Sequence, residues 1–202
     1  MVSFWDRREK PLVCFVFCLP FIWMFVSLLQ GQYFPDPGKI LMELTGIWAC
    51  VSMVLVLFMS PLTKYAKIKV ISRYRRFIGL GAFLYTLLHL LTYLVLFSGL
   101  SWTWIASDFI EKPYIYAGVG AFLILLVLAI TSHKKMIKKL GKRWKPLHRL
   151  VYLAVLLILL HLWWQIKSDT SILVWFSAFI IPLLLIRIPQ TQTVRKYFSK
   201  KN

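Results

Sequence analysis

The 202 residues are 59% hydrophobic, carry a net charge of +18 and have a mean hydropathy of +0.71. A soluble domain of that length has too little interior to hide so much apolar surface, which excludes the ordinary globular classes. The charge alone suggests a nucleic-acid partner, but it is confined to alternate connections between apolar runs; that excludes nucleic acid and assigns membrane lipid as the anionic partner.

Six apolar runs follow one another, at about 11–30, 41–60, 77–97, 114–132, 147–166 and 171–188. Each is about 20 residues, which as a helix matches the roughly 30 Å hydrocarbon core of a bilayer. The sequence therefore predicts an all-α integral membrane protein, a six-helix transmembrane bundle forming a single domain over 1–202. The first run follows Arg7, Arg8 and Lys10 and reads as a membrane span, because its apolar part is longer than a signal core and no small-x-small site precedes Gln30. Pro35 and Pro37 are expected to stop it, and Ser60-Pro61 to close the second span. Pro113 and Pro146 stand near the starts of the fourth and fifth spans, where a missing N–H is tolerated, and Pro182 is expected to kink the sixth. No internal repeat is evident along the chain.

The basic residues fix an orientation. The N-terminal stretch has three Lys/Arg, segment 61–76 has six, segment 133–149 has eight and the tail from Arg187 has five, whereas the alternate connections have only Lys39, Lys112 and Lys167. Such alternation follows the positive-inside rule and places both termini in the cytoplasm. Asp36, Glu43, Asp108, Glu111 and Asp169 fall on the outer side, with Trp102, Trp104, Trp163, Trp164, Trp48 and Trp175 as an interfacial belt. Cys14, Cys18 and Cys50 lie within spans as small buried hydrophobes, and no C-x-x-C-H motif for covalent haem attachment occurs.

The chemistry-bearing residues are histidines. His89 and His161 each lie 13 residues from a basic inner edge, about 20 Å along the helix, at nearly one outer depth; His148 sits at the inner edge. Imidazoles inside a span are costly and usually functional. Two neutral imidazoles at one depth on facing helices suit an iron with axial His/His ligation, as in a b-type haem lying between helices. His148 is the candidate ligand of a second, inner haem. Zinc, which needs about four convergent N or S ligands, fits less well. On a straight helix His148 and His161 point about 140° apart, so either two haems occupy different flanks or the helix deviates. His133, in the basic run after Thr131-Ser132, is a solvated loop histidine or a weak candidate to approach His148. Arg75, Arg76 and Arg149 at the inner rim are expected to serve haem propionates or simply to anchor in lipid headgroups. Tyr85, Thr86, Thr92 and Tyr93 flank His89, and one of them is expected to orient its ring.

Arg75-Arg76-x-x-Gly79 leading to Leu88-His89-Leu90, then Lys112-Pro113-Tyr114-Ile115, and Leu140-Gly141-x-Arg143-Trp144-x-x-Leu147-His148-Arg149-Leu150-Val151-Tyr152 ending in His161, together resemble the MsrQ (YedZ) family within the ferric-reductase-like transmembrane group. The resemblance runs from about residue 40 to 167. It implies haem b, one or two per chain, with His89, His161 and His148 as iron ligands and Arg76 and Arg149 as cofactor contacts. It also implies a bacterial inner-membrane electron conduit fed by quinol or reduced flavin, whose acceptor is a periplasmic molybdopterin methionine sulfoxide reductase. In the wider group two helices each carry a histidine pair 13 or 14 residues apart; here Arg76 stands 13 before His89, so the inner cofactor is either a differently ligated haem or FMN. The chain itself is then an electron-transfer subunit rather than a catalytic one, and it has no G-x-G-x-x-G nucleotide fingerprint. A self-standing ferric or cupric reductase is the alternative within the group. A channel or transporter is disfavoured because no Asp or Glu lies deep in a span.

Overall fold

The structure is a computed structural model. It describes residues 5–65, 67, 74–165 and 170–187, with side chains from residue 15 onward. Lys69 and Arg73, Lys167 and Asp169, and the tail cations beyond Arg187 lie outside the described residues, as do the side chains of Arg7, Arg8, Lys10 and Cys14.

The described residues form helices and no strand. In chain order these are α1 (Trp5–Leu29), α2 (Pro37–Tyr65), α3 (Arg75–Thr92) with a π-helical extension (Tyr93–Phe97), α4 (Trp102–Glu111), α5 (Tyr114–Thr131), α6 (Lys134–Leu140) with a 3-10 turn (Gly141–Arg143), α7 (Trp144–His148), α8 (Leu150–Gln165) and α9 (Ser171–Leu185). Helices satisfy every backbone group within the segment, which apolar surroundings demand. Three of them, Pro37–Tyr65, Arg75–Phe97 and Tyr114–Thr131, are long and apolar enough to cross a bilayer, and the bent pair Lys134–His148 and Leu150–Gln165 makes a fourth. Phe15–Leu29 and Ser171–Leu185 are apolar but shorter. Three of the six expected crossings, or four where the bent pair counts as one span, are thus matched on length and composition.

α2 packs along α3 and α5 along α8, and α3 meets α5 between the two pairs. Small residues allow this closeness: Ala82 on α3, Ala117 and Ala121 on α5 and Ala154 on α8 are buried at the contacts. Met53, Leu57, Val155, Phe176 and Ile180 fill the common core with Ala82 and Ala154. Leu55, Leu84, Leu123, Leu156 and Phe179 point outward in a belt that water would not tolerate and lipid would.

Several local expectations are revised. Pro61 does not close α2, which runs on to Tyr65. The proline ring removes the N–H that would bond the Leu57 carbonyl, and the Arg187 guanidinium donates to that same oxygen at 2.5 Å. Arg187 lies past the end of α9 and half-buries its charge over the Tyr152 ring. Pro182, by contrast, lies inside its helix as expected, and α9 continues through it to Leu185. The connection after the third span contains α4, whose Asp108 is buried, bonded by the Tyr93 hydroxyl at 3.0 Å and paired with Lys112. Burial lowers the Lys112 pKa, but the Asp108 carboxylate outweighs it and holds the ammonium above its ordinary value. Trp102, Trp104, Trp163, Trp164 and Trp175 are exposed as a belt requires, whereas Trp48 is drawn inward and stacks on Tyr85. Cys18 is exposed on α1 rather than buried.

Candidate functional site

His89 on α3 and His161 on α8 are brought together, with ring centroids 6.4 Å apart and ring planes at 87°. Each ring is held by a backbone carbonyl on the helix paired with its own. His89 Nδ1 bonds the Met42 oxygen on α2 at 2.9 Å, and His161 Nδ1 bonds the Tyr114 oxygen on α5 at 2.7 Å. A carbonyl only accepts, so Nδ1 must carry the proton in both rings. That fixes the tautomer and leaves Nε2 as the nitrogen with a free lone pair, the form that ligates metals.

The separation fits two imidazoles on one metal. A metal–nitrogen bond of about 2.1 Å, plus about 1.1 Å from nitrogen to ring centre, on each side puts the centroids about 6.4 Å apart. Among the described residues no group of three or more His, Cys, Asp or Glu converges on a metal position, so a zinc-type cluster does not fit. Two imidazole donors so placed could hold an iron whose other ligands come from a macrocycle.

The two settings are built alike. In both, the carbonyl lies 47 residues before the histidine. One helical turn beyond each carbonyl stands a glycine facing the ring. A Cβ at Gly118 would meet His161 Nδ1 at 2.8 Å, and one at Gly46 would meet His89 Nδ1 at 3.3 Å. A single offset therefore maps Met42, Gly46 and His89 onto Tyr114, Gly118 and His161, an internal repeat that reading along the chain does not reveal. The same offset pairs Arg76 with His148.

His148 lies apart from this pair, at the end of α7. The axes of Lys134–His148 and Leu150–Gln165 meet at 41°, so the helix deviates at Arg149 and the straight-helix angle between His148 and His161 does not apply. The His148 ring packs edge-on against Trp144 at 4.1 Å, and its Nε2 is buried without a hydrogen-bond partner. Arg75 lies within electrostatic reach of both His148 and Arg187. Arg76 and Arg149 are exposed. His133 caps α6, its Nδ1 accepting the Lys135 N–H.

None of the four residues flanking His89 orients it. Tyr85 donates to the Phe17 carbonyl, Thr86 to Ala82, Thr92 to Leu88 and Tyr93 to Asp108. The orienting groups on α2 and α5, and Arg187 at the opposite end, were not singled out by the sequence. A helical glycine 43 residues before a histidine, occurring twice (Gly46 and His89, Gly118 and His161), is the signal that would have found the first two.

A family model described as "Ferric reductase like transmembrane component" matches residues 45–159. The chain is 35% identical over 182 residues to a Pectobacterium atrosepticum protein named "Protein-methionine-sulfoxide reductase heme-binding subunit MsrQ", covering 90% of this chain and 92% of that one. It is 38% identical over 170 residues to a Brucella ovis protein of the same name, covering 84% and 77%. No solved structure matches.

Proposed function

The chain belongs to the MsrQ family of ferric-reductase-like membrane proteins, and from that premise we propose that it is a haem b subunit carrying electrons across the bacterial inner membrane. The donor is quinol or a reduced flavin, and the acceptor is a periplasmic molybdopterin methionine sulfoxide reductase that repairs oxidised proteins. The observation that carries this reading is the His89–His161 pair, with both Nδ1 atoms tied to backbone and a separation suited to one iron between them. Haem b, when bound, supplies one-electron chemistry at an iron held by two imidazoles.

The chain's own residues do the rest. His89 and His161 ligate through Nε2. The Met42 and Tyr114 carbonyls lock the rings and raise their basicity. Gly46 and Gly118 keep the helix surfaces clear of the rings. The bundle's apolar interior keeps water from the iron. The relatives' printed names, as heme-binding subunits of a methionine sulfoxide reductase, support the partner.

At the basic end, the buried Nε2 of His148 supports an inner cofactor there, with Arg76 and Arg149 at its edge. That cofactor is a second haem b or FMN. The test is haem per chain in purified wild type and in His89→Ala, His148→Ala and His161→Ala. Loss of the outer haem in the first and third variants only is the expected result. Equal loss in all three refutes the two-level assignment, and a wild type without a Soret band refutes the redox reading.

A further inference from the structure

The two ligand settings match in carbonyl and glycine but differ at the residue just before each glycine. On α5 this is Ala117, which offers His161 no polar atom. On α2 it is Thr45, whose hydroxyl oxygen lies 3.4 Å from His89 Nδ1. Thr45 is only 4% exposed. Its own proton is engaged elsewhere: the hydroxyl donates to the Leu41 carbonyl at 2.7 Å, nearer than the Met42 carbonyl at 3.1 Å. A hydroxyl that donates backward along its helix turns its lone pairs toward what lies in front of it. Here that is the Nδ1–H of His89, which thus faces two oxygens while that of His161 faces one.

We propose that Thr45 is a positioning residue that makes His89 the stronger electron donor of the two axial imidazoles and so lowers the reduction potential of the iron they share. The proposal rests on His89 and His161 as iron ligands. Negative charge density beside Nδ1–H gives the ring imidazolate character. A more basic ligand stabilises the ferric state over the ferrous one, and axial-ligand hydrogen bonding is one of the protein's means of setting haem potential. At 3.4 Å the contact is long, so its effect is smaller than that of the Met42 carbonyl and acts mainly through the hydroxyl dipole. Buried in low dielectric, such a dipole is poorly screened. A lower potential makes the iron a better reductant toward whatever receives its electron.

The experiment is a spectroelectrochemical titration of the outer haem in the purified full-length protein, comparing wild type, Thr45→Val and Thr45→Ser. Val keeps the shape and removes the hydroxyl; Ser keeps the hydroxyl and removes a methyl. The expected result is a raised midpoint potential in the Val variant at unchanged haem content, with the Ser variant at the wild-type potential. An unchanged or lowered potential in the Val variant overturns the proposal, as does a Ser variant that moves as far as Val. So does loss of haem from the Val variant alone, which makes Thr45 a packing residue. Failure of the underlying ligand assignment looks different: His89→Ala then retains the outer haem and its spectrum.

Discussion

Replacing Gly118 by alanine puts a methyl group against the His161 ring, 2.8 Å from Nδ1 and 3.0 Å from Cε1. Ordinary contact begins near 3.4 Å, so the ring must retreat from α5 by about 0.6 Å. The same helix carries the Tyr114 carbonyl, and the retreat takes that hydrogen bond from 2.7 Å past the ~3.2 Å end of the N–H···O range. Leaving a buried carbonyl and ring N–H unpaired costs about 2 kcal/mol, roughly thirtyfold in haem affinity. The matching change at Gly46 meets its ring at 3.3 Å, which a shift of a few tenths of an ångström relieves. Haem transfer to an excess of apomyoglobin, followed in the Soret region, measures both losses. Gly118→Ala is expected to release haem far more readily than Gly46→Ala, with the helical content of both variants intact. Equal retention in the two, or the reverse order, refutes the geometry on which the site rests.

Arg187→Met orphans the Leu57 carbonyl that Pro61 leaves unbonded, and is expected to lower stability by about 1–3 kcal/mol. Pro61→Ala restores the backbone donor and should rescue much of that loss, so a double-mutant cycle by thermal unfolding in detergent must show coupling; additive effects contradict the pairing. Lys112→Met leaves Asp108 with only the Tyr93 hydroxyl and should cost about 1–2 kcal/mol, since the lysine is partly exposed. The Lys112 pKa is raised in the folded state, so the pair's contribution is fully present below lysine's ordinary value of 10.5 and is lost as pH climbs through the folded value. Melting temperature should therefore not respond to this pair between pH 7 and 9, and a wild-type loss there that Lys112→Met abolishes counts against it.

The helical bundle is legible because lipid-facing and interior residues are both apolar, so each membrane helix appears as an uninterrupted run. Helix ends are less so, because Pro61 was read as a stop. Pro61 and Pro182 lie inside helices, tolerated when another group satisfies the freed carbonyl, as Arg187 does from a distant point in the chain. The facing of His89 and His161 was foreshadowed by counting residues from the basic edges, since depth along a membrane helix scales with residue number. What holds the rings was not, because the partners are main-chain carbonyls and glycine hydrogens, which carry no side-chain signature. The correspondence stayed hidden for the same reason: it holds at a carbonyl, a glycine and a histidine and not at the residues between. The break at Arg149 was marked only by the conflict between a thirteen-residue spacing and a straight helix.

Low-temperature electron paramagnetic resonance of the ferric protein bears most directly on whether His89 and His161 share an iron. Ring planes at 87° to each other predict a low-spin signal of large g anisotropy, lost when either histidine is changed to alanine and kept in His148→Ala. A wild-type outer haem that is high-spin, or a low-spin signal that outlives the removal of His89 or His161, contradicts the account.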